Sequence, residues 1–196
     1  LQLRLIRNEA AVSKSLSDLL ILSVAARKKI AQTSIISVVK DIAGEYWTPT
    51  SDVLHEAIEG LIDKRCLEIQ YSSVNGENLQ ITKIGFDEFS ILLRRLPDGD
   101  TENRYTRLLE IVRLRSLDLL PAPEAGIVIE QMLQRAHSLI EKLEQQERIP
   151  DPEGRFMDVW LNADKQDLAN RTNILSEIAK NNLLTIKICR EERRPF

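Results

Sequence analysis

The chain has 196 residues, 43% of them hydrophobic and 29% charged, with seven Gly and seven Pro. That composition suits one large or two small folded units and excludes a disordered, collagen-like or disulfide-scaffold chain. Lys and Arg together number 27 against 30 Asp and Glu, a formal net charge of -3, so no global cationic field holds the protein on nucleic acid or membrane and any such binding is local.

Ser15 or Ser17 is placed to cap a first helix running to about Lys29, because Leu16, Leu19, Leu20, Val24 and Ile30 recur at helical spacing. Residues 1–14 precede it as an N-terminal extension in which Leu1, Leu3 and Leu5 alternate. Thr33 or Ser34 starts a second helix with Ile35, Val38, Val39 and Ile42 on one stripe, stopping at Gly44, which suits a left-handed cap. The segment Trp47-Thr48-Pro49-Thr50-Ser51-Asp52 then opens a third helix to about Arg65, with Thr or Ser available for its orphan N–H groups. Val53, Leu54, Ala57, Ile58, Leu61 and Ile62 form its apolar face, leaving His55, Glu56, Glu59 and Asp63 on the other.

The period then changes. Leu67, Ile69 and Tyr71 alternate with polar residues, Asn75-Gly76 supplies a tight turn, and Leu79 and Ile81 resume the alternation, which predicts a two-stranded hairpin. A fourth helix from about Ile84 to Leu96 ends at Pro97-Asp98-Gly99-Asp100, read as a domain boundary. Beyond it Tyr105, Leu108, Leu109, Val112, Leu117 and Leu120 mark a fifth helix, ended by Pro121-Ala122-Pro123. A sixth carries Ile129, Met132, Leu133, Ala136, Leu139, Ile140 and Leu143 on one stripe. A seventh runs from about Arg155 to Lys180, with a break expected in the polar stretch Asn162 to Asp167, and Thr185 to Cys189 reads as a short strand or an extension of that helix.

Little in the chain suggests catalysis. It contains no GxGxxG, P-loop or GxSxG pattern, and His55 and His137 are its only histidines, neither placed beside a cysteine. Cys66 and Cys189 lack metal-ligand spacing and read as a reduced, structural pair in a cytoplasmic protein. No enzyme, cofactor or metal site is therefore expected. The longest apolar run, Leu19 to Val24 broken only by Ser23, is far shorter than the roughly 20 residues of a membrane span, and no basic-then-apolar leader opens the sequence.

Helix, helix, helix, strand, strand, helix is the winged-helix order, so the fold class is mainly α with a small β-hairpin: a winged helix-turn-helix at 15–97 and a helical region at 98–196. Residues 15–96 resemble the PadR-like family of winged-helix transcription regulators. The resemblance is carried by Ser17-Asp18-Leu19-Leu20-Ile21-Leu22, by Trp47-Thr48-Pro49-Thr50, by the Leu54, Ala57, Ile58 and Leu61 pattern, and by Leu79-Gln80-Ile81-Thr82-Lys83-Ile84-Gly85. The last looks like the family's apolar-Thr-x-x-Gly wing strand. Where the family usually has Tyr-Pro in the third helix this chain has His55-Glu56, and where it usually has Gly at that helix's end this chain has Arg65.

The resemblance implies a cytoplasmic, DNA-binding transcriptional regulator acting as a homodimer, with double-stranded DNA and a second copy of the chain as partners and a small-molecule effector as a further one. Lys28, Lys29, Ser34, Thr50, Ser51, His55, Asn78 and Lys83 are the expected DNA contacts; Leu109, Val112, Met132, Leu133, Leu139, Leu143, Trp160 and Leu175 are the expected dimer interface. Trp47 reads as a core plug. The competing possibility is a winged-helix protein-interaction module that has lost duplex binding, because the segment Thr50 to Arg65 holds four acids against two bases.

Overall fold

The computed structural model describes residues 2–72, 76–95, 104–147 and 157–191. The chain divides into two compact units, 1–120 and 121–196.

In the first unit, α1 spans Gln2–Ala25, the two-residue strand β1 Ile30–Ala31, α2 Gln32–Ala43 and α3 Ser51–Asp63; β2 Leu67–Ser72 and β3 Gly76–Ile81 follow, then α4 Lys83–Arg94 and α5 Arg104–Ser116, which ends in a 3-10 turn at Leu117–Leu119. Leu19, Leu20, Ile21 and Leu22 of α1 are four consecutive buried residues, so this part of the helix has no solvent face. A helix apolar all round sits at the centre of its layer. Here α1 packs against α2, α3, α4, α5 and β3. Ile35 and Val39 of α2, Leu54, Ile58 and Leu61 of α3, and Phe89 and Leu93 of α4 complete the core, and Trp47, in the segment joining α2 to α3, is buried as well.

The sheet is antiparallel with strand order β1-β3-β2, and Leu79 of β3 lies between Ile30 and Ile69. Leu67 and Leu79 are buried, whereas Tyr71, on the same face of β2 as Leu67, is 79% exposed, so the hairpin leaves the core along its length. Asn75 and the rest of the turn, residues 73–75, lie outside the described residues, and Gly76 opens β3.

Three local features hold the wing to α3. Cys66 N–H donates to the Leu61 carbonyl at 2.8 Å and Arg65 N–H to Ile62 at 2.8 Å, a Schellman closure with Arg65 at φ 59. This is the left-handed position that glycine fills most easily, and in this chain Arg65 holds it. The Thr82 hydroxyl donates to the Arg65 carbonyl at 2.6 Å and accepts from Gly85 N–H at 3.0 Å, capping α4. Gly85 in turn lies against the Cys66 carbonyl and within 2.9 Å of Ile81 Cγ1 as measured from the place a Cβ would occupy, so no side chain fits there. The Thr-x-x-Gly signature is thus one hydrogen-bonded cap and one close approach.

Several expectations are corrected. Residues 1–14 are not a separate extension: from Gln2 onward they are the first turns of α1, in a stretch with no Gly or Pro to stop a helix, and Ser15 and Ser17 lie inside the helix instead of capping it. The helix ends at Ala25, which frees Ile30 and Ala31 to form a third strand. The first unit does not end at residue 97 but continues to Leu120. α5 packs against α1 with Leu108 and Val112 buried, and its Arg113, 1% exposed, donates from its guanidinium to the carbonyls of Leu93 at 2.8 Å and Arg95 at 2.7 Å and so caps the C-terminus of α4. The Pro97 to Asp100 segment itself is outside the described residues.

The second unit is a hairpin of α6, Ala122–Glu147, and α7, Met157–Glu191. Asn182 donates to the Ala122 carbonyl at 3.0 Å and Lys165 lies 3.7 Å from Glu144, which fixes the antiparallel register at both ends. Asn162 to Asp167 causes no break, since a polar stretch without Gly or Pro still satisfies its backbone as helix, and Thr185 to Cys189 is helical, not a strand.

Candidate nucleic-acid interface

The start of α3 is built from its own side chains. Thr50 is the N-cap, its hydroxyl accepting from Val53 N–H at 3.4 Å. Ser51 Oγ accepts from Lys40 Nζ at 2.9 Å, a bond from the last turn of α2 that places a cation at the helix N-terminus. His55 Nδ1 lies 2.8 Å from the Ser51 carbonyl; a carbonyl only accepts, so Nδ1 carries the proton and Nε2 is the outward polar atom of the ring. Thr50, Ser51 and His55 are exposed, and so is Val53 at 41%.

The other predicted contacts fall into two places. Lys29 Nζ meets Gln70 Oε1 of β2 at 2.5 Å, and Gln70 pairs across the sheet with Asn78, whose other neighbour is Ala31 just before α2. Lys29, Asn78 and the first turn of α2 with exposed Ser34 therefore meet at the base of the wing. Asn78 is half-buried in the central strand and less open than the rest. Lys28 is exposed beside Lys29, and exposed Lys83 opens α4 next to the Thr82 cap. Among the described residues, no carboxylate pairs with Lys28, Lys29, Lys40 or Lys83. Lys40 was not expected from the sequence: it lies on α2 with no signal of its own, and only the fold brings it to Ser51.

Opposite the buried face of α3, exposed Asp52, Glu56, Glu59 and Asp63 are spaced four, three and four residues apart and form one acidic row. At its far end Lys64 and Arg65 supply the two cations. Lys64 Nζ is 3.5 Å from the Asp18 carboxylate of α1. Burial pushes the Asp18 carboxyl above its usual range despite the opposing pull of Lys64. Burial likewise raises the Cys66 thiol, which marks a packed rather than a reactive cysteine.

The expected dimer residues are divided. Val112, Met132 and Leu175 are buried within the single chain; Leu109, Leu133, Leu139 and Leu143 are half-buried; the Trp160 side chain lies outside the described residues. Ile127 of α6 and Ile174 of α7, not singled out from the sequence, are 47% and 58% exposed. Among the described residues no group of three or more His, Cys, Asp or Glu could hold a metal ion, and no helix is long and apolar enough to cross a membrane.

No protein-family model matches the chain, and no curated protein matches it closely. Among solved structures, Bacillus subtilis PadR in complex with operator DNA is 15% identical over 84% of this chain and 98% of that one, with a TM-score of 0.37. The same regulator in complex with p-coumaric acid is 16% identical over 86% and 96%, with a TM-score of 0.39. A PadR-like transcriptional regulator from Bacillus cereus is 13% identical over 86% and 99%, with a TM-score of 0.38. Over most of its length, at low identity, the chain is similar to PadR and PadR-like transcriptional regulators.

Proposed function

We propose that this protein is a DNA-binding transcription regulator that acts as a homodimer, in the manner of the PadR-like family its sequence resembles. The observation that carries the proposal is the exposed first turn of α3, with Lys40 hydrogen-bonded to Ser51, in a winged helix whose cations Lys28, Lys29 and Lys83 have no carboxylate partner among the described residues. The acidic row sets the approach. Laid lengthwise in a major groove, α3 would bring four carboxylates toward phosphates; entering by its N-terminal turn, it offers Ser51, Val53 and His55 to base edges, with Asp52 and Glu56 beside them, and keeps Glu59 and Asp63 outside. Lys28, Lys29 and Lys40 then approach the backbone.

Few phosphates are neutralised per subunit, so binding to non-specific duplex is expected to be weak and only shallowly dependent on salt. A dimer doubles those contacts. The α6–α7 hairpin supports it by exposing Ile127 and Ile174, side chains that a partner would cover.

Fluorescence polarisation with random duplex at low salt tests the proposal. Lys28→Ala with Lys29→Ala should weaken all sequences alike, whereas Ser51→Ala or His55→Ala should change sequence preference. Failure of the folded protein to bind any duplex would sink it, and the acidic row of α3 would then favour a protein-interaction module.

A further inference from the structure

Arg27, Lys28 and Lys29 are three consecutive cations after the end of α1, and the structure treats them differently. Lys28 is exposed, and Lys29 meets the neutral amide oxygen of Gln70. Arg27 is held by a carboxylate. Its Nη1 donates to Asp118 Oδ2 at 3.1 Å and its Nη2 to Asp118 Oδ1 at 2.8 Å, while Nη2 also reaches the Arg115 carbonyl. Asp118 sits in the 3-10 turn after α5, two residues before the first unit ends at Leu120. The paired side chains are 37% and 63% exposed, so solvent, salt and a competing anion can reach them.

We infer that the Arg27–Asp118 pair is an autoinhibitory contact, in which Asp118 withholds from the DNA backbone a cation that would extend the Lys28–Lys29 segment. The inference rests on the proposal that Lys28 and Lys29 approach phosphates. A phosphate presents a guanidinium with what a carboxylate presents: two oxygens that accept parallel N–H bonds, so the two anions compete for one planar fork. While Asp118 occupies it, Arg27 adds no net charge to the surface. Exchange of Asp118 for a phosphate releases the 3-10 turn from Arg27. In the wild type the pair stays closed on the duplex, so Arg27 meets a phosphate only when residues 117–119 are drawn away from it, and whatever draws them away raises duplex affinity.

The test is the salt dependence of random-duplex binding by the full chain, for wild type, Asp118→Asn, Arg27→Gln and the double variant. Asp118→Asn should bind more tightly, with a log K against log salt slope steeper by about 0.9 per subunit, one further phosphate neutralised. Arg27→Gln should leave the wild-type slope unchanged and abolish the gain in the Asp118→Asn background. Arg27→Lys, which keeps the charge but loses the fork, should steepen the slope without touching Asp118. The inference is overturned if Asp118→Asn leaves the slope alone, if its gain survives Arg27→Gln and so reflects general repulsion, or if Arg27→Gln already flattens the wild-type slope. Absence of duplex binding by all five folded proteins would instead remove the DNA-binding proposal beneath it.

Discussion

The two compact units solve the burial problem differently. In the first, the Leu19 to Leu22 run of α1 is covered on every side, by four helices and a strand. In the second, α6 and α7 have only each other within the unit, and one helix can cover only one stripe of its neighbour. Ala125, Val128, Ile129 and Met132 are buried while Ile127 stays exposed on the same turns of α6, and Leu175 is buried beside exposed Ile174 on α7. The first unit closes its core around α1; the pair of helices in the second leaves Ile127 and Ile174 exposed.

The sharpest way to break the first unit is at the joint of the wing. Gly85→Ala places a Cβ against the Cys66 carbonyl, backbone that cannot step aside, and should destabilise the protein by about 3 kcal/mol or more in a denaturant titration. A wild-type midpoint for that variant would show that α4 does not approach Cys66 so closely. Arg113→Met keeps the volume of α5 but strips the Leu93 and Arg95 carbonyls of their donor, and should cost about 2 kcal/mol, with faster amide exchange at the end of α4. Unchanged exchange there would show that Arg113 does not cap α4.

The second unit is tested by assembly rather than stability. Ile127→Glu and Ile174→Glu alter exposed positions, so the melting temperature should move little while a homodimer shifts toward monomer by tenfold or more in dissociation constant, read by sedimentation. An unchanged dimer would place the interface elsewhere. The smallest expected effect is at Asp18. Its carboxyl is raised in the folded state, so ionisation opposes folding, and the stability associated with the protonated form is lost as pH rises through the folded value. Asp18→Asn should therefore be the more stable protein at neutral pH, with the advantage shrinking as pH falls toward the ordinary carboxylate value of 3.8. A constant difference across that range would assign the effect to packing.

What the sequence shows follows from where each signal resides. Helices with one buried stripe, such as α3 with Leu54, Ala57, Ile58 and Leu61, are legible because the periodicity is local. The alternation of β2 and β3 is legible for the same reason. β1 is not: two residues form a strand only because β3 pairs with them. Arg113 looks like surface charge until the carbonyls of α4 are set beside it, and together with the packing of α5 on α1 it belongs to the first unit, which runs to Leu120. On the proposed DNA-contact surface, Thr50, Ser51 and His55 could be named from capping and helical phase, whereas the Lys40–Ser51 bond and the capture of Arg27 by Asp118, 91 residues away, exist only in three dimensions.

The Thr82 junction has a mechanical consequence. Its hydroxyl ties the end of α3 to the start of α4, its N–H donates to the Cys66 carbonyl at 3.0 Å, and Gly85 lets α4 rest on that same carbonyl. Helix end, strand base and helix start thus share one node a few residues wide, with no compliant joint among them. A torque applied to the wing is delivered to α3 and α4 together, as through a rigid lever.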